Sequence, residues 1–253
     1  MSSSRGGSFV RLFEADPDLL GTAPQEVQSR LVGEVVVPRL QVGRGQWEPR
    51  PERGAIGVLV LEGLLRREID LLGHVGAELL GPGDLLRPWQ RLPIGPLLHR
   101  LQWRAVEPTE LALIDRRAAE RIGAVPEIIS ELLARSTARA LFLHLQVGLS
   151  RIQGVSARLV FLLWAIADRW GRRERGETVV PLRLSHELLG ALVSVERATA
   201  SRGLKALAEA GLISRRTGGH WVLHGDPPQS VEQLVRLQDT EGGALVAEGA
   251  GAE

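Results

Sequence analysis

The stretch LSHELLGALVSVERATASRGLKALAEAGLI, residues 184–213, carries the most information about the fold of this chain. Its apolar residues recur at helical spacing in two short segments, which meet at a tight junction at Ser194-Val195. Ser185 can cap the first helix, because its hydroxyl can accept a hydrogen bond from a first-turn amide. Glu196 suits the positive end of a second helix, and Gly211 suits the position just past its end. The pattern predicts a helix-turn-helix.

The second helix is predicted to bury one face and to expose a basic one. Ala200, Leu204 and Leu207 form the buried face, and Gly190 in the first helix lies where the two helices must cross closely. A helix of this kind can enter the major groove of B-DNA, which is about 12 Å wide. The side chains expected towards solvent are those of Arg197, Thr199, Ser201, Arg202 and Lys205.

A basic hairpin is predicted after these helices. The segment ISRRTGGHWVLHG, residues 213–225, indicates two strands with Thr217-Gly218-Gly219 at the tip, which is the wing of a winged helix. We expect Arg197 and Arg202 to face base edges, since arginine can bond guanine bidentately. The remaining DNA-binding candidates are Ser185 and Lys205, Arg215, Arg216 and His220, of which the last four are expected on phosphates. A row of charges alone indicates only a solvated face, but these features in this order favour DNA binding.

The stretch from Leu184 to Arg216 resembles the winged helix-turn-helix of the Crp/Fnr transcription regulators, whose recognition helix usually reads close to S-R-E-T-V-S-R. Arg197, Thr199 and Arg202 stand on its R, T and second R positions. The departures are Glu196 for the usual Ser, Ala198 for the usual base-reading Glu, and Gly203 for a larger apolar residue. The resemblance implies a DNA-binding regulator whose operator differs from the one preferred by members with the Glu.

Short apolar runs punctuated by Gly and Pro fill residues 27–115 and predict a β-sandwich or barrel. In order and length they match the β-roll sensor domain of the same family. The predicted fold class is therefore α+β. The expected order is a flexible segment (1–26), a jelly-roll-like β-roll sensor (27–119), a long dimerisation helix (120–153), a winged helix-turn-helix domain (154–228) and a largely disordered tail (229–253).

A stripe of small and apolar residues runs along the predicted long helix in steps of four and three. Its members are Ile129, Leu133, Ser136, Ala140, Leu143 and Val147. This is the spacing of a coiled-coil seam, and it fits a helix packed on its own domain equally well. Because the family has its dimerisation helix here, the resemblance favours a homodimer. Such a dimer would bind a near-palindromic DNA site with half-sites about 34 Å apart. Its sensor domain would shift a hinge near Gly154 and so reorient the two recognition helices.

The resemblance also bears on the effector. Members that bind cyclic AMP hold its phosphate with a Gly-Glu pair just after a G-P-G-D turn, and with an Arg followed by Ser or Ala on the next strand. Here Gly81-Pro82-Gly83-Asp84 is followed by LLRPW, and His99-Arg100 stands where the Arg pair falls. Cyclic AMP is therefore not expected, although a cyclic-nucleotide-dependent regulator stays an alternative. Candidate effector contacts are Arg87, Trp89 and Arg100; the effector is unknown or absent, and no cofactor is expected.

The composition argues against several other classes. Without cysteine there are no disulfides, thiolate metal sites or Cys nucleophiles. A cupin-like metal-dependent enzyme needs clustered ligands, but the six histidines are scattered without an H-x-H pair, so neither metal site nor catalytic residue is predicted. The net charge of +1 means that any attraction to DNA is local.

No signal peptide or transmembrane stretch is found, so a cytoplasmic protein without membrane contact is expected. Its expected partners are double-stranded DNA, a second copy of the chain and RNA polymerase. A module that uses the winged helix for protein contacts is the remaining alternative.

Overall fold

The computed structural model describes residues 8–72, 74–90 and 99–228. The chain divides into an N-terminal unit of residues 1–74 and 78–141 and a C-terminal unit of residues 75–77 and 142–253. The predicted α+β class is confirmed. The expected tail over 229–253, with a short helix around 231–237, lies outside the described residues, as does the Ser/Gly-rich start at residues 1–7.

The N-terminal unit begins with short elements where a flexible segment was expected. They are β1 (Phe9–Arg11), α1 (Leu12–Ala15), a 3-10 helix (Pro17–Leu20) and α2 (Gln25–Glu34). β1 pairs antiparallel with β2 (Val36–Val42). Leu12, Phe13 and Leu19 are buried in an apolar cluster that also contains Val37 and Leu59. The prediction of flexibility over residues 1–26 is therefore wrong for residues 9–20, because their apolar side chains help to build this core.

Two antiparallel sheets follow, as the punctuated apolar runs predict. The further strands are β3 (Gly45–Trp47), β4 (Gly57–Glu62), β5 (Leu65–Leu71), β6 (His74–Leu80), β7 (Leu85–Leu86), β8 (His99–Ala105) and β9 (Thr109–Ile114). One sheet has the order β1-β2-β9-β4-β7 and the other β3-β8-β5-β6. Along β4, Val58 and Val60 pack between the sheets with Leu65, whereas Leu59 packs with the N-terminal helices. The N-terminal helices therefore cover one face of the five-stranded sheet, and the second sheet covers the other.

The helix predicted over 120–153 is two helices in the structure, α3 (Arg116–Gly123) and α4 (Pro126–Leu149). Asp115 caps α3 by accepting a hydrogen bond from the amide of Ala118 at 2.9 Å. The break at Ala124-Val125 has a local cause. Proline disfavours helical backbone at the residue before it and fits the first position of a helix. The region with dimer-seam spacing therefore starts at Pro126.

The described residues of the C-terminal unit combine the end of α4 and three further helices with a four-stranded antiparallel sheet. Its elements are α5 (Val155–Trp170), β10 (Arg172–Glu174), β11 (Glu177–Val180), α6 (His186–Leu192), α7 (Arg197–Glu209), β12 (Ile213–Arg215) and β13 (Trp221–Leu223). The sheet order is β10-β11-β13-β12. Residues 171–177, expected as an exposed connector, form a β10–β11 hairpin, whose turn places Arg175 and Gly176 at positive φ. α5 is largely buried, as its apolar sequence predicts.

Candidate nucleic-acid interface

The first helix of the helix-turn-helix, α6, begins where the sequence predicts. The Ser185 hydroxyl accepts a hydrogen bond from the amide of Leu188 at 3.1 Å and caps the helix. A Cβ added to Gly190 would lie 2.8 Å from the Val195 carbonyl oxygen and 3.2 Å from the Ala200 Cβ. Because real Cβ atoms are not found that close to a backbone oxygen, this position requires glycine. The predicted cap and close crossing are confirmed.

The recognition helix, α7, follows a turn in which Ser194 has φ of 59°. Glu196 precedes its first residue without making a side-chain capping bond. At its end Gly211 has φ of 71°, and the amide of Leu212 donates to the carbonyl of Leu207 at 3.0 Å. This is the hydrogen bond of a glycine-terminated helix. The predicted buried residues are confirmed: Ala200, Leu204 and Leu207.

The glycine that departs from the usual motif, Gly203, is buried where α5 meets α7. A Cβ there would lie 3.0 Å from Leu159 Cδ1 and 3.3 Å from Val155 Cγ1. The Ser156 hydroxyl donates to the Gly203 carbonyl at 3.2 Å, which joins the two helices by a buried hydrogen bond. The small residue therefore lets α5 approach α7 closely, an explanation that the sequence interpretation missed.

Most of the candidate DNA-contacting side chains on α7 are exposed, as expected. Arg197, Arg202 and Lys205 are exposed and Thr199 is half-buried. Arg202 donates to the Thr199 hydroxyl at 3.4 Å, and Lys205 Nζ lies 3.7 Å from a Glu209 carboxylate oxygen. Ser201 was also expected towards solvent. It is instead half-buried, and its hydroxyl lies 2.9 Å from Nδ1 of His186 on α6.

The wing forms as predicted, with Gly218 and Gly219 at positive φ at its tip and His220 half-buried beside them. Arg216, expected on phosphate, donates to carboxylate oxygens of Glu174 at 2.6 Å and Glu177 at 2.8 Å. These two hydrogen bonds raise the pKa of Arg216 above its ordinary value. Much of its charge is therefore balanced within the protein.

Arg215, the neighbouring wing arginine, has different surroundings. Its Nη2 donates to the Leu184 carbonyl at 3.1 Å, and its Cζ lies 4.6 Å from the centre of the Trp221 ring. The His186 ring lies 5.8 Å from that ring at an interplanar angle of 32°. Burial lowers the pKa of His186, and the charges of Arg215 and Arg197 lower it further. His186 was not among the predicted site residues, although it directly follows the cap residue in the sequence.

The seam residues on α4 lie mostly at the surface of the chain. Leu133 is 66% exposed, Val147 59% and Ile129 41%. Ser136 and Ala140 are also at least partly exposed, and Leu143 is half-buried. The buried stripe of the same helix contains Ile128 and Leu132 instead. The described chain therefore presents the predicted stripe to solvent and not to its own core.

The three candidate effector residues lie on two segments of the sensor, one just after β7 and the other on β8. Arg87 is exposed just after β7, and Trp89 is half-buried against the core between the sheets. Arg100 is exposed on β8, opposite Asp70 of β5 in the strand register. Trp89 therefore packs against the apolar core, whereas the side chains of Arg87 and Arg100 extend into solvent.

A buried ion-pair cluster in the N-terminal unit was not predicted. Glu78 of β6 is 4% exposed and accepts from Arg139 of α4 at 2.6 and 3.1 Å. Its second oxygen lies 2.5 Å from Arg67 of β5. Burial is the largest effect on Arg67 and lowers its pKa. Two guanidinium groups thus share one buried carboxylate and tie α4 to the sheet of β5 and β6.

Residues 8–72, 74–90 and 99–228 contain neither a candidate metal site nor a membrane-spanning helix. No group of three or more His, Cys, Asp or Glu side chains there could hold a metal ion. None of the helices in the same ranges has the length and apolar character needed to cross a membrane.

Comparison with known proteins agrees with this architecture. Residues 157–228 match the family model of the Crp-like helix-turn-helix domain. None of the curated proteins compared with the chain matches it.

Solved structures, by contrast, match over most of the chain. FixK2 from Bradyrhizobium japonicum is 21% identical with a TM-score of 0.56, over 80% of this chain and 98% of that one. A cyclic nucleotide-binding domain containing protein from Listeria monocytogenes EGD-e is 14% identical with a TM-score of 0.58, over 74% and 88%. TTHA1359, a CRP/FNR family transcriptional regulator from Thermus thermophilus, is 20% identical with a TM-score of 0.50, over 79% and 98%. Residues 157–228 are therefore a Crp-like helix-turn-helix domain, carried on a chain with the fold of Crp/Fnr regulators.

Proposed function

We propose that this protein is a homodimeric, sequence-specific DNA-binding transcription regulator that acts on a near-palindromic operator in the cytoplasm, with RNA polymerase as a further partner. The observation that carries the proposal is the exposed basic face of α7. That face is fixed in place by the close crossing at Gly190 and is flanked by the wing. The match to the Crp-like domain supports this interpretation.

Within that face, Arg197 and Arg202 are the proposed base readers. Both are exposed. The hydrogen bond from Arg202 to Thr199 is long, so Arg202 can exchange it for a guanine edge. Lys205, Ser185 and the wing residues Arg215, Arg216 and His220 would contact the DNA backbone, where they add affinity but little sequence information. Of these, Arg216 must share its charge with Glu174 and Glu177.

In-vitro selection of duplex DNA by the purified protein tests this function. We expect a two-fold-symmetric site whose affinity falls steeply with salt. Arg202→Ala should reduce affinity for that site about 5- to 150-fold, which corresponds to about 1–3 kcal/mol, and should relax its sequence preference. Arg216→Ala is the matched control, with a smaller loss shared by all sequences. Enrichment of no site with or without cell extract would favour the protein-interaction alternative.

The observation that supports the proposed dimer is the exposed stripe of α4 between Ile129 and Val147. Burying a side chain such as Leu133 against a second copy stabilises the pair by about 1.5–3 kcal/mol. Leu141 offers a control, because it is also 66% exposed on the same helix. Eight residues beyond Leu133, it lies about 80° further around the helix and outside the seam.

Sedimentation of three proteins therefore tests the seam. The parent protein and Leu141→Asp are expected to be dimers, whereas Leu133→Asp is expected to be a monomer because each dimer would bury two carboxylates. A dimer that survives Leu133→Asp and dissociates with Leu141→Asp would place the interface on a different face of α4.

For the sensor, Arg87, Trp89 and Arg100 are proposed as contacts of an effector that is unknown or absent. Excess cyclic AMP is expected to leave the thermal unfolding temperature and the DNA affinity unchanged. A rise in unfolding temperature that is lost in Arg100→Ala would instead support the cyclic-nucleotide alternative, because a ligand that binds only the folded state stabilises it.

A further inference from the structure

Some of the basic side chains around α7 pair with carboxylates of the protein, and others do not. Arg216 donates to Glu174 and Glu177, and Lys205 lies near Glu209. Within the described part of the chain, neither Arg197 nor Arg215 pairs with a carboxylate. Two positive groups close to α6 therefore have no carboxylate partner among the residues that the structure describes.

Arg215 is also held in a fixed orientation. Its hydrogen bond to the Leu184 carbonyl constrains one edge of the guanidinium group, and its stacking on Trp221 constrains one face. Trp221 is itself buried, and its Nε1 donates to the same carbonyl at 3.0 Å. A guanidinium held this way presents its remaining N–H groups with little loss of side-chain freedom on binding.

His186 contacts α7 through Ser201 and the wing sheet through Trp221. Nδ1 faces the Ser201 hydroxyl of α7, the ring lies beside Trp221 of β13, and Arg215 of β12 and Arg197 of α7 are the charged groups that act on it. Glu187, the next residue of α6, is exposed. Because both acting charges are positive and the ring is partly buried, the neutral imidazole is favoured in the free protein.

We propose that His186 and Arg215 together bind one backbone phosphate of duplex DNA close to the charge of Arg197, and that His186 takes up a proton when the phosphate binds. The proposal rests on the proposed DNA-binding function and adds a phosphate site that couples binding to pH. A phosphate placed among these groups offsets the repulsion between the two guanidinium groups and an imidazolium. The protonated ring then gains a charge-assisted hydrogen bond that the neutral ring lacks.

The sign of the pH effect follows from linkage. The pKa of His186 lies below its ordinary value of about 6.5 in the free protein, and a bound phosphate raises it. The complex therefore holds more protons than its separated parts between these two pKa values, and DNA affinity rises as pH falls through that window. Each proton contributes at most about tenfold in affinity per pH unit.

The test measures affinity for a duplex of random sequence at constant ionic strength between about pH 8 and pH 6, a range that spans the ordinary histidine pKa. A random duplex suffices because a phosphate site does not depend on sequence. We expect affinity to rise several-fold towards pH 6. His186→Gln keeps a polar group for Ser201 but cannot titrate in this range, so it should flatten the curve. His144→Gln, at an exposed histidine of α4 outside the proposed DNA contacts, should leave this pH dependence intact.

A matched pair of arginine variants tests the phosphate itself. Arg215→Gln should reduce the slope of log affinity against log salt by about one. Arg216→Gln should change that slope less, because Glu174 and Glu177 already balance its charge.

Calorimetry of the parent protein in two buffers of different ionisation enthalpy counts the protons directly and does not depend on any variant folding. Net proton uptake near pH 7 is expected, and binding without uptake would overturn the proposal. A slope retained in His186→Gln would overturn it as well. Failure of the parent protein to bind any duplex, random or selected, would refute DNA binding itself, a different result from binding without pH dependence.

Discussion

Gly190→Ala is the most direct test of how the helix pair is held. Alanine is favoured over glycine in a helix by about 1 kcal/mol. The new Cβ, however, would lie 2.8 Å from the Val195 carbonyl oxygen, an atom of the turn backbone that cannot rotate away. The amide of Val195 also donates to the Gly190 carbonyl at 2.9 Å, so moving the turn strains that hydrogen bond. Overpacking of this kind costs about 1–3 kcal/mol.

We therefore expect Gly190→Ala to lower the free energy of unfolding by about 1 kcal/mol and the unfolding temperature by about 4–8 °C. Gly148→Ala is the matched control in the same unit: it is helical, and nothing lies within 4 Å of its added Cβ. That variant should gain up to about 1 kcal/mol. Thermal unfolding followed by circular dichroism measures both. Equal stabilisation by the two alanines would refute the close crossing.

Three further predictions concern single side chains. Ser185→Ala should lower the free energy of unfolding by about 1 kcal/mol in denaturant titration through loss of the α6 cap, whereas Ser185→Asp should retain the cap. Glu78→Gln should cost up to about 3–5 kcal/mol in the same assay, since it leaves the half-buried Arg67 and Arg139 without their shared carboxylate. A loss below about 1 kcal/mol, as expected for the exposed Arg11–Glu14 pair in Glu14→Gln, would contradict that reasoning. Because the pKa of His186 is lowered in the folded protein, the unfolding temperature without DNA should fall as pH drops below about 6.5, and less so in His186→Gln.

The helix-turn-helix could be predicted because its determinants act over a few residues. Ser185, Gly190 and Gly211 each satisfy a local backbone requirement that the sequence displays directly. The break before Pro126 also has a local signal, which the long periodic stripe obscured.

What the sequence did not reveal depends on pairs that only the tertiary fold brings together. Arg216 meets Glu174 across the sheet, and Ser201 meets His186 across the helix crossing. Residues 9–20 are ordered by burial against a sheet whose other strands lie much later in the chain. Local propensity carries no information about such partners, so the charge state of the wing and the role of His186 required the structure.

The narrow buried face of α7 has a consequence for engineering. The residues that hold this helix are Ala200, Gly203, Leu204 and Leu207, whereas Arg197, Ala198 and Arg202 are exposed. Those three positions can therefore be randomised together without disturbing the close approach of α5 at Gly203. On the proposed DNA-binding function, a library built this way is a route to variants that each bind a new DNA sequence on an unchanged scaffold.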